Sequence, residues 1–260
     1  MTYSTILYTI ADKVGTITLN RPDKRNAFNA DVVAELTEAF TDAQENESVK
    51  VIVLAASGEV FSAGADLGYL QSLQQNSFEE NVADSQKLMA LYKLMYTLSK
   101  PIIAKIEGHA IAGGCGLASV CDFSFAVPEA QFGYTEVKIG FIPAIVMVFL
   151  LRKINERHAK ELLLTGKLIT AETAEKYGLI NAVIPKNKID EAVSGLCVEL
   201  IAQTSRVAVA TTKSMIAAVQ EMGLDEALQY AAEMNAKARA TDDCQYGIRS
   251  CLEKKKPEWK

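Results

Sequence analysis

The 260-residue chain has two histidines, five cysteines and no surplus of positive charge, since 27 Lys and Arg stand against 32 Asp and Glu for a net charge of -5. Each scarcity removes a class of function. His109 and His158 sit in no HExxH pattern and there is no GxSxG elbow. Hydrolysis by a zinc-bound water or by a Ser-His-Asp triad therefore lacks its ligands and its nucleophile turn. Cys115, Cys121, Cys197, Cys244 and Cys251 are odd in number and show neither CxxC nor zinc-ligand spacing. They fit neither a disulfide scaffold nor a metal centre and read as reduced thiols of a cytoplasmic protein. The acidic balance argues against a nucleic-acid partner, whose phosphates want a basic surface. It leaves room for one local basic pocket around an anionic ligand. The most apolar stretch, Gly140 to Leu151, contains Pro143 and is far short of the ~20 residues a membrane helix needs. No membrane partner is expected. The start of the chain, MTYSTILYTIADKVGTITLN, has the pattern of neither a secretory signal nor a transit peptide. There is no GxxxxGK[ST] phosphate loop, no dinucleotide fingerprint, no Gly/Ser linker and no fixed-period repeat.

What is present is the composition of a globular domain, 49% hydrophobic and 23% charged. Residues 6–10 and 14–19 alternate as a hairpin around Ala11-Asp12-Lys13, with Ile17 and Leu19 on one face and Val14, Thr16 and Thr18 on the other. Asn29 is placed to cap a helix on which Val32, Leu36, Phe40 and Ala43 share a face. Short apolar runs predict buried strands at 50–56 and 101–107, with further strands at 123–126 and 131–133, and residues 78–98 read as a helix. Strand, loop and helix repeat, which predicts an α/β architecture with parallel pairing. From about residue 190 the strand signal stops, and helices fit 190–204, 207–222 and 225–240. The expected division is a core of residues 1–190 and a helical region of residues 191–260.

Two glycine-containing turns follow predicted strands: FSAGAD at 61–66 and AGGCG at 112–116. Small residues let backbone approach a ligand closely, and free N–H groups at the opening of the second helix favour an anion. Two such turns together could hold an oxyanion. Either could equally be a plain tight turn. Glu136, in FGYTEVKIGFIPA, is a carboxylate beside an apolar stretch, the setting that raises a pKa toward acid–base work. The simpler alternative is a solvated surface glutamate. Lys24 and Arg25 are a small basic group that is otherwise an ordinary surface charge pair.

In order along the chain, TITLNRPDKRNAF, VIVLAASGEVFSAGADL, KPIIAKIEGHAIAGGCGLASVCDFSFA, AQFGYTEVKIGFIPA, LLLTGKLITAETAEKYGLIN and CLEKKKPEWK resemble the enoyl-CoA hydratase/isomerase (crotonase) superfamily over essentially the whole chain. The resemblance implies a spiral of ββα units and a C-terminal helical region for trimers or dimers of trimers. It implies an acyl-CoA thioester substrate with no cofactor or metal. It assigns the oxyanion-hole N–H groups to Ala63 and Gly113. Lys24, Arg25 and Lys254 fall where the family meets the CoA phosphates, and Ala65, Asp66 and Leu67 border that pocket. Typical hydratases carry two glutamates. Glu136 matches one, and Gly116 stands where the other belongs.

That departure leaves the reaction open between hydration of a 2-enoyl-CoA, isomerisation of a 3-enoyl-CoA on Glu136 alone, decarboxylation, and weak acyl-CoA binding without turnover. Glu107, His109 or Tyr134 could bring a polar group to the vacated place, His109 best of the three. Restoring a glutamate at 116 is expected to raise hydration. Ala144, Ile145, Val146 and Met147 replace a glycine-rich stretch and are expected to narrow the acyl pocket. This variant is similar to the methylglutaconyl-CoA hydratase-like branch, which acts in leucine breakdown.

Overall fold

The structure, a computed structural model, describes residues 3–259. Strands β1 (Ile6–Ala11) and β2 (Val14–Leu19) form the expected antiparallel hairpin, with Ile6 opposite Leu19. Its two-residue turn, Asp12-Lys13, has positive φ at both positions, the handedness that matches strand twist. Ile17 and Leu19 are buried and Val14, Thr16 and Thr18 are only half-buried, as the alternation requires. Helix α1 (Ala30–Glu45) is capped by Asn29, whose side chain accepts the Val32 N–H at 3.0 Å. It buries Val32, Leu36, Ala39, Phe40 and Ala43.

The chain then repeats one unit. A strand enters the large sheet, a short second strand enters a smaller sheet, and a helix follows. The first unit is β3 (Val51–Ala56), β4 (Val60–Ser62), α2 (Leu67–Leu73) and α3 (Phe78–Thr97). The second is β5 (Ile102–Ile106), β6 (His109–Ile111) and α4 (Gly113–Val120). The third is β7 (Phe123–Ala126), β8 (Gln131–Gly133), α5 (Ala144–Lys153) and α6 (Glu156–Thr165). After β9 (Ile169–Thr170), α7 (Ala171–Lys176) and β10 (Ala182–Val183), four helices finish the chain: α8 (Ile189–Gln203), α9 (Arg206–Val219), α10 (Leu224–Arg239) and α11 (Asp242–Leu252).

The large sheet runs β1-β2-β3-β5-β7-β10 and the small one β4-β6-β8-β9. Beyond the hairpin the large sheet is parallel throughout, so its central strands are largely buried on both faces and read as the apolar runs VIVLAA and IIAKI, the latter interrupted only by half-buried Lys105. Strands β4, β6 and β8 are parallel to one another. Their C-terminal ends therefore lie on one side of the small sheet, and the segments that leave them are 63–66, 112–116 and 134–139. The topology thus gathers both glycine turns and Glu136. Helix α8 packs back on β3, β5 and β7 through Ile189, Val193 and Cys197. No single helix among the described residues is long and apolar enough to cross a membrane.

Candidate active site

Loop 21–28 is stitched against the end of β4. Arg25 and Asn26 both take left-handed backbone. Asn26 is buried, donating to the carbonyls of Ser57 at 2.9 Å and Val60 at 2.8 Å and accepting the Arg21 N–H at 2.8 Å. Ser62 Oγ donates to the Asn26 carbonyl and accepts the Gly64 N–H. The Ala63 N–H donates to the Arg25 carbonyl at 3.0 Å. Its bond is used inside the protein, so the assignment of Ala63 as a ligand-facing donor is corrected.

The unused donor in this turn is Ala65. Phe28 and Ala65 form a parallel bridge in which Phe28 N–H donates to the Gly64 carbonyl and Asp66 N–H to the Phe28 carbonyl. In that pattern the N–H of Ala65 itself points away from Phe28. It has no acceptor among the described residues.

Gly64, at φ +84°, presses on the start of α4. A Cβ there would fall 2.6 Å from Ala112 Cβ and 3.0 Å from Gly113 N. Ala112 holds φ 51° and ψ -123°, a conformation open mainly to glycine and costing of order 1–3 kcal/mol. This strained residue aims the first turn of α4. The N–H of Gly113, at the first helical position, has no intrahelical partner by geometry and no other acceptor among the described residues. Two orphan donors, on Ala65 and Gly113, thus flank one tight contact between turns.

Glu136 opens a short 3-10 turn after β8. One of its carboxyl oxygens is buried with no hydrogen-bond partner among the described residues. Burial raises its pKa, and the opposing influence is its own backbone N–H. A carboxyl whose pKa is raised by burial is better matched to acid–base work than a solvated one.

Gly116 is buried on α4, and its neighbourhood is already full. A Cβ there would meet Val146 Cγ1 at 2.4 Å and the Tyr92 hydroxyl at 2.8 Å. Tyr92, on α3, is fully buried and donates to the Gly113 carbonyl at 2.6 Å. Its phenol is held well above its ordinary pKa by burial and then by the charge of Glu136. No gap has been left for a missing glutamate, so restoring one by a single substitution does not fit this site. Of Ala144 to Met147, only Val146 is buried against it, while Ala144 and Met147 face solvent. Ile145 is half-buried against the core. Sequence reasoning missed Tyr92, which lies in the helical segment 78–98 with no motif around it.

The three candidates for the vacated place do not reach it as free groups. Glu107 is paired with Lys105 at 2.7 Å. His109 is exposed, its Nδ1 accepting the Gln131 N–H at 3.2 Å. Tyr134 is fully buried with its hydroxyl toward Ser119 Oγ.

Asp66 serves locally. It caps α2 by accepting the Gly68 and Tyr69 N–H groups and pairs with Arg21 at 3.3 Å. Burial opposes its charge, but those N–H groups and the guanidinium outweigh it and lower its pKa. Leu67 is exposed, as are Lys24 and Arg25, cations on loop 21–28 with no ion pair among the described residues. Lys254 follows α11, which packs on α9 and α10. No hydrogen bond or ion pair among the described residues joins it to either glycine turn. No group of three or more His, Cys, Asp or Glu among the described residues could hold a metal ion.

The sequence model of the family described as enoyl-CoA hydratase/isomerase matches residues 9–260. A Thermus thermophilus protein named "Putative enoyl-CoA hydratase" is 40% identical over 246 residues, 95% of this chain and 97% of that one. The crotonyl-CoA hydratase of Syntrophomonas wolfei is 31% identical over 98% of each chain. The crystal structure of an enoyl-CoA hydratase from Mycobacterium smegmatis superposes with a TM-score of 0.93 at 31% identity, covering 98% of this chain and 99% of that one. The fold is the crotonase α/β spiral, and the chain belongs to the enoyl-CoA hydratase/isomerase family.

Proposed function

We propose that this chain hydrates a 2-enoyl-CoA thioester with Glu136 as its only acid–base group. The observation that carries the reading is the buried carboxyl oxygen of Glu136, without a partner among the described residues, on the same side of the small sheet as the two turns with orphan backbone donors. The Ala65 and Gly113 N–H groups bind the thioester oxygen. Glu136 takes a proton from water as its oxygen bonds to C3, and the double-bond electrons move onto the thioester oxygen as an enolate. The enolate then collapses and C2 takes the proton back from Glu136. Fixed N–H dipoles aimed at the developing charge are worth about 10²–10³ each in such steps. The reaction needs neither a metal nor a cofactor beyond the coenzyme A of its substrate. Lys24 and Arg25 meet the CoA phosphates, with Lys254 contributed by a neighbouring copy in a homotrimer or dimer of trimers. The names of the relatives support hydration.

One observation favours a second reading. With the space at residue 116 filled by Tyr92 and Val146, no second carboxylate helps to activate water. Isomerisation of a 3-enoyl-CoA needs only Glu136, which moves one proton between carbons. An absorbance assay on the conjugated thioester band decides, run with crotonyl-CoA, 3-methylglutaconyl-CoA and a 3-enoyl-CoA. Loss of the band with 3-hydroxyacyl-CoA confirmed by mass establishes hydration. Growth of the band from the 3-enoyl substrate alone establishes isomerisation. No change with any of them overturns both readings and leaves an acyl-CoA-binding homologue. Turnover of 3-methylglutaconyl-CoA in preference to crotonyl-CoA would place the chain in the branched-substrate group.

A further inference from the structure

At the far ends of α4 and α5 from the site, α9 lies across a cavity of about 520 Å³, a volume in the range of small-ligand sites. Its walls are apolar, with Tyr96, Phe149, Leu200 and Ile216 among them. Its charged lining is three cations, Arg152, Lys153 and Lys213, and one carboxylate, Asp122. That carboxylate is already engaged. The same Asp122 oxygen accepts Lys213 Nζ at 2.6 Å and the Ile102 N–H at 2.7 Å. Lys213 is buried and also donates to the Lys100 carbonyl at 2.9 Å. Lys153 differs. Its ammonium has three donors and, among the described residues, one acceptor, the Cys121 carbonyl at 2.9 Å; the charge of Asp122 also reaches it, but that carboxylate is shared with Lys213. Burial lowers the pKa of both lysines, so each gains from a nearby anion.

We propose that this cavity binds a medium-chain carboxylate, its hydrocarbon body between α9 and the aromatic wall and its head group on Lys153. An unbalanced ammonium at the edge of an apolar chamber selects an anion with an apolar tail, whereas a neutral tail leaves the ammonium without its partner. Among the charges facing the cavity, Arg152 is exposed at the surface and adds to the attraction. The inference does not rest on the proposed reaction, since none of these residues belongs to that site.

The test is calorimetric titration of the full-length protein with decanoate and with decanol as its neutral counterpart. One decanoate should bind per chain, with decanol at least about tenfold weaker. Lys153→Met should bring decanoate to the decanol level, and Ala217→Trp, which fills the cavity, should remove both. Absence of saturable decanoate binding overturns the proposal, as do equal affinities for the two probes or binding unchanged in both variants. Should Lys153→Met fail to fold, the decanol comparison and Ala217→Trp still decide.

Discussion

The Tyr92 hydroxyl donates to the carbonyl of Gly113 at 2.6 Å, tying a side chain of α3 to the residue whose N–H opens α4. The same oxygen lies 2.8 Å from where a Cβ on Gly116 would stand. One phenol thus braces the start of the helix and closes the place where a second carboxylate would sit. α3 and α5 fill the space around residue 116, so on the proposed reading Glu136 works without a second carboxylate.

Gly116→Glu should therefore destabilise rather than improve the protein. Its Cβ meets Val146 and the Tyr92 hydroxyl well inside contact distance. Overpacking costs about 1–3 kcal/mol, and the added buried carboxylate costs more. Denaturant unfolding should show a loss of at least about 2 kcal/mol, with no gain in hydration. Gly116→Glu/Val146→Ala removes the nearer obstacle and should recover part of that loss. If a second carboxylate promotes hydration here, it will do so in the double variant and not in the single one.

Strain at Ala112 gives an opposite pair of outcomes. Ala112→Gly relieves the left-handed backbone and should leave the chain equally stable or more stable, because the strain removed offsets the entropy glycine adds to the unfolded chain. Gly64→Ala adds strain at φ +84° and drives a methyl into Ala112 and the Gly113 nitrogen. Displacing the two donors should lower kcat by about 10² or more, the scale of losing one oxyanion donor. Steady-state kinetics on the two variants, after circular dichroism has shown both folded, checks this.

Lys24→Ala and Arg25→Ala should act on binding alone. Both cations are exposed on the loop whose Arg25 carbonyl anchors the first glycine turn. Losing uniform binding energy raises KM and leaves kcat unchanged. Because exposed charges are screened, the effect should shrink between low and high salt. An effect on kcat with KM unchanged would place the loop in the chemistry instead.

Glu136 makes a pH prediction of defined sign. Burial raises its pKa above the ordinary glutamate value of 4.5, so the folded state holds this proton more tightly than the unfolded one. Its contribution favours folding below the unfolded value and is lost as pH rises through the folded one. Glu136→Gln should therefore be more stable than the wild type at pH 8, with the difference disappearing toward pH 4. In the wild type, kcat/KM should fall on the acid side with a midpoint above 4.5, as the carboxylate that starts the reaction is titrated.

Much of the fold is legible in the sequence because its signals are local. The hairpin, the Asn29-capped helix and the runs at 51–56 and 102–106 carry their pattern within a few residues. β4 and β6 are not among the expected strands, because VFS and HAI run straight into the glycine turns 61–66 and 112–116, whose signal covers theirs. Motif order located both glycine turns and Glu136. It could not say which N–H in FSAGAD is free, since that depends on the Arg25 carbonyl meeting Ala63 across a distant loop. Nor could it see that Gly116 is enclosed, because Tyr92 and Val146 arrive from two other helices.

The most direct measurement is turnover of crotonyl-CoA by Glu136→Gln beside the wild type, with affinity for the CoA ester measured separately. The account predicts a fall in kcat of at least about 10²–10⁴ with affinity held within a few-fold, because the side chain is isosteric and touches only the reacting proton. Turnover retained in the folded variant would remove Glu136 from the chemistry and contradict a site that works with a single carboxylate.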